Sequence, residues 1–535
     1  MASTKAQISR RNFVKAMAAV SAGSAFALAG CGSQRAGGSS KSADGDFTIT
    51  FAQASDPRGL DPAMVDDGES AMVMVQVYEN LLQYEDDSCA VKPGLAESYE
   101  VSDDGLTYTF KIRTGVKYHD GTDFNAAAAK ASIERQLEPQ RTEDMPYAAF
   151  TFGSEADGNG IASIDAPDDT TLVIKLRAAS TAFLANLAMC MASPIVSPTA
   201  AEGGKLNESP VGTGPYKFVS WTKNSDIKLE RNEDYWDKDN AGKAKNIVFR
   251  FIAESASRVT ALANGEADII SGIDEAVVSQ VENNGDKVYK TDGMNINYLA
   301  FNTQSETFKT ADARKAFAKA VNVQELVDSL YNGYATYANS VMPLWMAPYD
   351  SDIQQTQYDP DAAKSELAAL GITKVKCITY SVSRPYNGKG GTALAESVQG
   401  YLSKVGVDMT IDQFDWTSYK DAVQAGNYDV CFYGWNGDNG DPDNFMNLLS
   451  VDDTAMNVAR YSNDEYKALI AKGLSTPAGS ERDDVYHQCE QIVAEDQVWL
   501  PISHSQNLLG HKANVEGYVY HPTAVVFLRN CTKSA

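Results

Sequence analysis

Short apolar strands alternate with helices between residues 374 and 435, and this pattern constrains the fold more than any other feature of the chain. Helices of about 10–15 residues between such strands predict βαβ units and a largely parallel sheet. Open sheets of this kind place ligands at the loops after the strands' carboxyl ends. The predicted elements are strand Lys374–Ser381, helix Thr392–Val405, strand Val407–Phe414, helix Thr417–Ala425 and strand Tyr428–Trp435.

The first half of the chain is richer in strands. Thr107–Arg113 alternates apolar and polar side chains, and Asp103-Asp104-Gly105 before it supplies the turn of a hairpin. Strand character returns after Trp499. With 535 residues against the ~100–200 typical of one domain, the chain is predicted to form two α/β lobes. The second lobe is inserted into the first, so that the chain crosses between them twice.

The N-terminal residues 1–30 have the composition of an export signal. They carry Lys5, Arg10, Arg11 and Lys15, no acidic residue, and the weakly apolar run Ala16–Gly30. That run is too short for a membrane-spanning helix and suits the apolar region of a signal peptide.

Two motifs refine this prediction. Ser9–Lys15 resembles a twin-arginine export signal. Leu28–Cys31 resembles a bacterial lipobox, in which the Cys31 thiol receives a diacylglycerol; the alternative is an export peptide that merely contains a cysteine. Residues 31–46 are Gly/Ser-rich and are predicted to be a disordered tether. We expect a body anchored by lipid to the extracytoplasmic face of the cell membrane.

Composition excludes several classes of function. The net charge of −25 makes nucleic acid a poor partner, and seven cysteines are too few for a disulfide scaffold. The five histidines are scattered, and no HExxH, GxSxG, Walker or CxxC motif occurs. We therefore predict no catalytic residue, no metal and no cofactor.

An acidic loop broken by Gly and Pro follows the predicted strand Tyr428–Trp435. It fails as an EF-hand because Gly440 and Leu449 stand where calcium ligands belong. A ligand loop and a solvated turn both fit its composition.

Six motifs follow one another along the body of the chain: Gly94–Phe110, Gly115–Thr122, Gly212–Tyr216, Arg231–Trp236, Tyr298–Asn302 and the helix Ala311–Val321. In this order they resemble the family 5 extracellular solute-binding proteins, the peptide-capturing subunits of peptide/nickel-type ABC importers. The resemblance covers nearly all of residues 47–530.

The resemblance implies a two-lobed periplasmic-binding-protein-like fold (type II, cluster C) with mixed β-sheets and a hinge crossed twice. Lobe 1 would span 47–293, with a strand-rich subdomain inserted at about 84–205. Lobe 2 would span 294–502, and 503–535 would return to lobe 1.

Two further motifs resemble the dipeptide-binding branch of that family. Arg384-Pro-Tyr-Asn387 is similar to a motif whose arginine pairs with the peptide carboxylate, and Gly434–Phe445 is similar to a loop whose first aspartate, here Asp438, holds the peptide ammonium. The chain departs from that branch at two places. Gly-Lys-Gly-Gly follows Asn387 where the branch usually has Pro-Asn, and Asn436 stands where Thr or Ser is common. The predicted ligand-binding residues are Arg384, Asp438, Tyr386, Trp435, Asp441 and Trp416.

Physical chemistry agrees with these roles. A dipeptide zwitterion needs one cation and one anion at a fixed separation, and two residues span at most ~7 Å. Arginine suits the carboxylate because its fork donates two parallel hydrogen bonds.

We therefore expect a monomeric, non-enzymatic binding protein that captures short peptides, dipeptides above all, and delivers them to an ABC permease and ATPase complex. The alternatives within the family are longer oligopeptides, a haem-like ligand or a nickel chelate in the same cleft. A surface peptide hydrolase and a peptide-sensing protein without a transport role are the alternatives from other classes.

Overall fold

The structure, a computed structural model, describes residues 46–155 and 158–534. The predicted signal peptide, Cys31 and nearly all of the predicted tether lie outside the described residues. Within the described ranges, no helix is both long and apolar enough to cross a membrane.

The strands belong to one large sheet, a four-stranded sheet and three small two-stranded sheets. They are β1 (Thr48–Gln53), β2 (Leu82–Tyr84), β3 (Val91–Pro93), β4 (Ala96–Val101), β5 (Thr107–Ile112), β6 (Ile161–Asp168), β7 (Thr171–Leu176), β8 (Tyr216–Thr222), β9 (Asp226–Arg231), β10 (Asn246–Phe251), β11 (Ile269–Ile270), β12 (Lys287–Asp292), β13 (Asn295–Phe301), β14 (Ala335–Tyr337), β15 (Lys374–Tyr380), β16 (Asp408–Phe414), β17 (Val430–Asn436), β18 (Trp499–His511), β19 (Val515–Glu516), β20 (Val519–Tyr520), β21 (Val526–Phe527) and β22 (Thr532–Lys533).

Most helices begin at a side chain that caps the free backbone N–H groups of the first turn. Asn125 caps α2, Asp359 caps α10 and Asp415 caps α12 in this way. The helices are α1 (Gly68–Val77), α2 (Ala126–Glu134), α3 (Ala148–Phe152), α4 (Phe183–Asn186), α5 (Pro198–Glu202), α6 (Ser255–Ala263), α7 (Glu275–Asn283), α8 (Ala311–Lys319), α9 (Val323–Tyr331), α10 (Pro360–Ala369), α11 (Gly391–Lys404), α12 (Trp416–Ala425), α13 (Asp443–Met446), α14 (Asp464–Ser475) and α15 (Ser480–Asp496).

The largest sheet has twelve strands, and β18 lies at its middle. The first residues of β18 pair with β13, the next with β14, and the last with β12 and β11. Beyond β11 the order continues through β1, β10, β9 and β8. One strand therefore joins the two halves of the molecule by backbone hydrogen bonds.

The βαβ region has the predicted elements in the predicted order. Strand β15 lies between β16 and β17 and is parallel to both. Strand β17 then pairs antiparallel with β13. The sheet is consequently mixed, and the predicted fold class, α/β with two lobes and mixed sheets, is confirmed by this topology and by the structural relatives given below.

The buried apolar side chains form separate cores. One core has all its buried members between Met294 and Ile502, and we call this part lobe 2. The cores around β1 and β10 and around α6 and α7 combine residues from before Met294 with residues from Leu508 onward, and we call this part lobe 1. The sheet β4-β5-β7-β6 of lobe 1 has its own core, formed by residues between Leu81 and Ile195.

Direct contacts join the lobes away from β18. The Thr181 backbone N–H donates to the Leu474 carbonyl at 2.9 Å, and its hydroxyl donates to the Thr476 carbonyl at 2.7 Å. On α7 of lobe 1, Glu275 forms an ion pair with Lys389 of lobe 2. Lys389 belongs to the Gly-Lys-Gly-Gly segment in which the sequence departs from the dipeptide-binding branch.

Trp499 of β18 stacks on Tyr298 of β13, and replacing Trp499 tests how much the contact between these two strands stabilises the protein. The ring centroids are 4.3 Å apart, and Trp499 is 1% exposed. We expect Trp499→Ala to lower the free energy of unfolding by about 3–5 kcal/mol, because a cavity replaces a large buried ring. Val219→Ala, at a 51% exposed position, should change it by less than about 0.5 kcal/mol. Urea titrations measure the free energy of unfolding of both variants. Equal losses for Trp499→Ala and Val219→Ala would show that the Trp499–Tyr298 contact contributes no special stability.

Candidate ligand-binding cleft

The two predicted charge-bearing loops leave the same edge of the sheet. Strands β15 and β17 are parallel neighbours, with Cys377 opposite Val430 and Ile378 opposite Cys431. Arg384 follows the carboxyl end of β15, and Asp438 follows the carboxyl end of β17. The edge is the one at which open α/β sheets bind ligands.

Arg384 begins a tight turn that buried polar groups hold in place. The backbones of Arg384 and Asn387 exchange two hydrogen bonds, of 2.9 and 2.8 Å. The fully buried Asn387 side chain accepts from the Tyr331 hydroxyl at 2.9 Å and donates to the Tyr380 hydroxyl at 3.1 Å. The Ser505 hydroxyl of β18 donates to the Tyr386 carbonyl at 2.8 Å. The turn is therefore fixed both to Tyr380 of β15 and to β18.

The Arg384 guanidinium has no carboxylate partner within the described residues. Its Cζ lies 3.9 Å from the centroid of the Trp416 ring, which stabilises the cation from one side. Its Nε–H is buried and has no acceptor at hydrogen-bonding geometry among the described atoms, although the Tyr386 hydroxyl lies close to the guanidinium. A buried donor left in this way has a considerable free-energy cost unless a ligand or solvent supplies the acceptor.

An aromatic cluster surrounds Arg384. Trp416, the first residue of α12, packs edge-on against Tyr380 at 5.6 Å between centroids and lies 5.8 Å from Tyr433 of β17. The Tyr386 ring lies directly against the backbone of Gly434, where an added Cβ would come within 2.3 Å of the ring. The predicted residues Arg384, Tyr386 and Trp416 therefore lie together.

Asp438 lies where the lobes meet. One carboxylate oxygen accepts from the Tyr147 hydroxyl of lobe 1 at 2.8 Å, and the other accepts from the Asn444 amide at 3.1 Å. Burial raises the pKa of Asp438 above its ordinary value, although both hydrogen bonds oppose that rise. The carboxylate would gain from a cationic partner because such a partner offsets the desolvation.

Trp435 shares the support of Asp438. Its indole N–H donates to the Asn444 side-chain oxygen at 3.1 Å, and the same oxygen accepts from the Asp438 backbone N–H at 2.9 Å. Asn444 thus orients both predicted residues.

Asp441, which was predicted to contact the ligand, forms an ion pair within lobe 2. Both of its carboxylate oxygens accept from the Arg482 guanidinium, each at 2.8 Å, and both side chains are buried. Because this bidentate pair occupies both oxygens, we leave Asp441 out of the proposed ligand contacts. The pair connects the acidic loop to α15.

Reasoning from sequence missed two residues that hold Asp438. Asn444 lies in the loop quoted for the resemblance and could have been found there as an amide able to bond both the backbone and the carboxylate. Tyr147 is 291 residues from Asp438, and no local pattern indicates their contact.

The six cysteines of the described residues are free thiols, namely Cys89, Cys190, Cys377, Cys431, Cys489 and Cys531. Among the described residues, no group of three or more His, Cys, Asp or Glu side chains has an arrangement suited to a metal ion.

A two-lobed α/β body, with polar loops from one sheet edge meeting the opposite lobe, defines the class of cleft-type solute-binding proteins. The family described as "Bacterial extracellular solute-binding proteins, family 5 Middle" matches residues 90–457. The chain belongs to this family, and the resemblance inferred from the sequence is confirmed.

Individual relatives extend this similarity over most of the chain. Heme-binding protein A of Haemophilus influenzae is 30% identical over 89% of this chain and 90% of its own length. The dipeptide-binding protein of Pseudomonas aeruginosa is 30% identical over 89% of this chain and 92% of its own. Among solved structures, the periplasmic binding protein DppA of Helicobacter pylori in complex with the peptide STSA superposes with a TM-score of 0.76 at 28% identity, covering 92% of this chain and 99% of its own.

The Asp441–Arg482 pair generates a stability prediction. Asp441→Ala should lower the free energy of unfolding by about 3–5 kcal/mol, because it leaves the Arg482 charge buried and unpaired. In the control Lys309→Ala, which breaks an exposed pair with Glu306 at 2.6 Å, the loss should stay below about 1 kcal/mol. Chemical denaturation of both variants measures the difference. A loss below 1 kcal/mol for Asp441→Ala would show that the pair does not support the loop.

Proposed function

We propose that this protein is the substrate-binding component of an ABC importer and that it captures short peptides, dipeptides above all, between its two lobes. The observation that carries the proposal is the Arg384 cation, which has no carboxylate partner among the described residues and has a buried, unsatisfied Nε–H. It lies at the sheet edge that also presents Asp438. This arrangement suits a ligand that ends in a carboxylate at one end and an ammonium at the other.

The supporting residues favour a small zwitterion. Arg384 is held by a turn that is stabilised by two backbone hydrogen bonds and by the bonds of the Asn387 side chain, so little ordering is needed when a carboxylate arrives. Asp438 already contacts lobe 1 through Tyr147, so a ligand ammonium at this carboxylate would lie where the lobes meet. Exclusion of water on closure would strengthen both charge pairs.

A haem-like ligand is the second candidate. A relative named as a heme-binding protein is as similar to this chain as the dipeptide-binding one. The half-buried rings of Trp416 and Tyr433, 5.8 Å apart, offer some aromatic surface. A haem-like ligand would not need an ammonium. The Asp438→Ala variant described below should therefore weaken dipeptide binding but not haem binding.

Arg384→Ala should reduce the affinity for a free dipeptide by about two to three and a half decades. Removing the arginine leaves the ligand carboxylate unpaired in a closed cleft, at a cost of roughly 3–5 kcal/mol, and each ~1.4 kcal/mol is tenfold in affinity. The same substitution should cost much less for the C-terminally amidated dipeptide, which has no carboxylate. Isothermal titration calorimetry measures both.

The mirror experiment controls for general damage to the cleft. Asp438→Ala should weaken the free dipeptide strongly and the N-acetylated dipeptide little. If Arg384→Ala binds the free dipeptide within about threefold of wild type, the arginine is not the carboxylate receptor and the dipeptide assignment fails.

We further propose that Cys31 is the membrane anchor, supported by the lipobox-like Leu28–Cys31. Cys31→Ala should abolish incorporation of labelled palmitate, whereas Cys89→Ala, in the body of the protein, should incorporate label like wild type. Absence of label from the wild-type chain in a lipoprotein-processing host would refute the anchoring.

A further inference from the structure

A cavity of about 70 Å³ lies against Asp438 on the side of lobe 1. Residues of α1 and β2, the segment around Cys190 and the C-terminal residues Thr523–Arg529 form its wall. Most of that wall is apolar, with Tyr78, Leu82, Val525 and Phe527 among its residues. Asp438 is the one residue of lobe 2 among those that line the cavity, so the cavity lies in lobe 1 next to the residue proposed to hold the peptide ammonium.

Several polar groups of this wall already have partners. The Glu79 carboxylate accepts from the hydroxyls of Thr213 and Tyr235, each at 2.7 Å, and from the Trp236 indole N–H at 2.9 Å. The Asn80 amide donates to two backbone carbonyls of the same lobe. These groups hold the wall together and offer little to a ligand.

Arg529 differs from them. Its Nη2 donates to Asp86 at 3.0 Å, but its Nε–H is buried and has no acceptor in the described part of the chain. The Arg529 side chain is 18% exposed and that of Asp86 is 44% exposed. The cavity wall therefore contains one unsatisfied buried donor beside carboxylates, namely Glu79, Asp86 and Asp438.

Size and charge together select the group that fits. At roughly 10–15 Å³ for each water-sized group, the cavity holds about five such groups. This number matches the non-hydrogen atoms of a glutamine, glutamate or lysine side chain and exceeds those of methionine by one. A carboxylate would add negative charge beside Glu79 and Asp86, and an ammonium would leave the Arg529 donor unsatisfied. A carboxamide adds no charge, its oxygen accepts from the Arg529 Nε–H, and its NH₂ group donates to a neighbouring carboxylate.

We propose that this cavity is the subsite for the side chain of the peptide's first residue and that it selects a carboxamide side chain of glutamine size. The inference rests on the proposed function, because it requires the peptide ammonium at Asp438. Arg529 is then a specificity-determining residue, with the Glu79 and Asp86 carboxylates disfavouring an acidic side chain.

Calorimetry with freshly dissolved Gln-Ala, Glu-Ala, Met-Ala, Lys-Ala and Gly-Ala tests the subsite in the full protein. Wild type should bind Gln-Ala about tenfold more tightly than each of the others, as expected for a hydrogen bond to a charged donor in a buried site. Equal affinity for Gln-Ala and Met-Ala, or a preference for Glu-Ala or Lys-Ala, overturns the proposal.

Two variants test whether the preference for a glutamine side chain arises in this cavity. In Arg529→Met the ratio of the Kd values for Met-Ala and Gln-Ala should fall from about tenfold to about one. In Ala188→Leu, which fills the cavity without touching Arg529's charge, Gln-Ala should lose its advantage over Gly-Ala. Persistence of the glutamine preference in both variants, or in the one that folds, overturns the assignment.

The same titrations separate this inference from the proposed function. If Gly-Ala binds wild type and Arg384→Ala abolishes that binding, but no peptide is preferred, the subsite alone is refuted. If none of the five dipeptides binds wild type, the proposed dipeptide function fails and the subsite fails with it.

Discussion

The backbone pairing of β18 is the constraint on which the rest of the structure depends. Its first residues pair with β13 in lobe 2 and its last with β12 in lobe 1, so a single strand fixes the relation between the sheets of both lobes. Strand β13 in turn pairs with β17, from which the Asp438 loop leaves. Ser505 of β18 bonds the turn of Arg384. The positions of both residues proposed to bind the ends of the peptide therefore depend on β18.

The charged side chains of the cleft divide into those that pair with an opposite charge and those that do not. Asp441 and Arg482 neutralise each other in a buried bidentate pair, and this pair supports the loop. Arg384 has an aromatic face but no carboxylate within the described ranges, and Asp438 has only neutral donors, from Tyr147 and Asn444. A chain with a net charge of −25 that leaves this cation without a counter-charge is suited to an anionic group. Arg529 repeats the pattern more weakly, since its Nε–H is unsatisfied but its guanidinium already pairs with Asp86.

Contacts between the lobes surround the cleft at several points. Tyr147 bonds Asp438, the Tyr84 hydroxyl bonds the Asn439 carbonyl at 3.1 Å, and Lys389 pairs with Glu275. The first two bind the acidic loop to lobe 1, and the third binds the turn that begins at Arg384. Each loop that presents a proposed ligand charge thus has its own link to the opposite lobe, so the geometry of the ligand site depends on how the lobes meet.

The sequence by itself determined the elements, because the spacing of apolar residues and the capping side chains act over a few residues. Strand β15 ends at Tyr380 where Ser381 was predicted, and α12 begins at Trp416 because Asp415 caps it. The roles of Arg384 and Asp438 came from resemblance and remain proposals. Only the tertiary structure decided that Asp441 belongs to Arg482 and that Tyr147 bonds Asp438, because these contacts join residues 41 and 291 positions apart. Pairing at such separations depends on which surfaces the packed lobes bring together, and local periodicity contains no information about that.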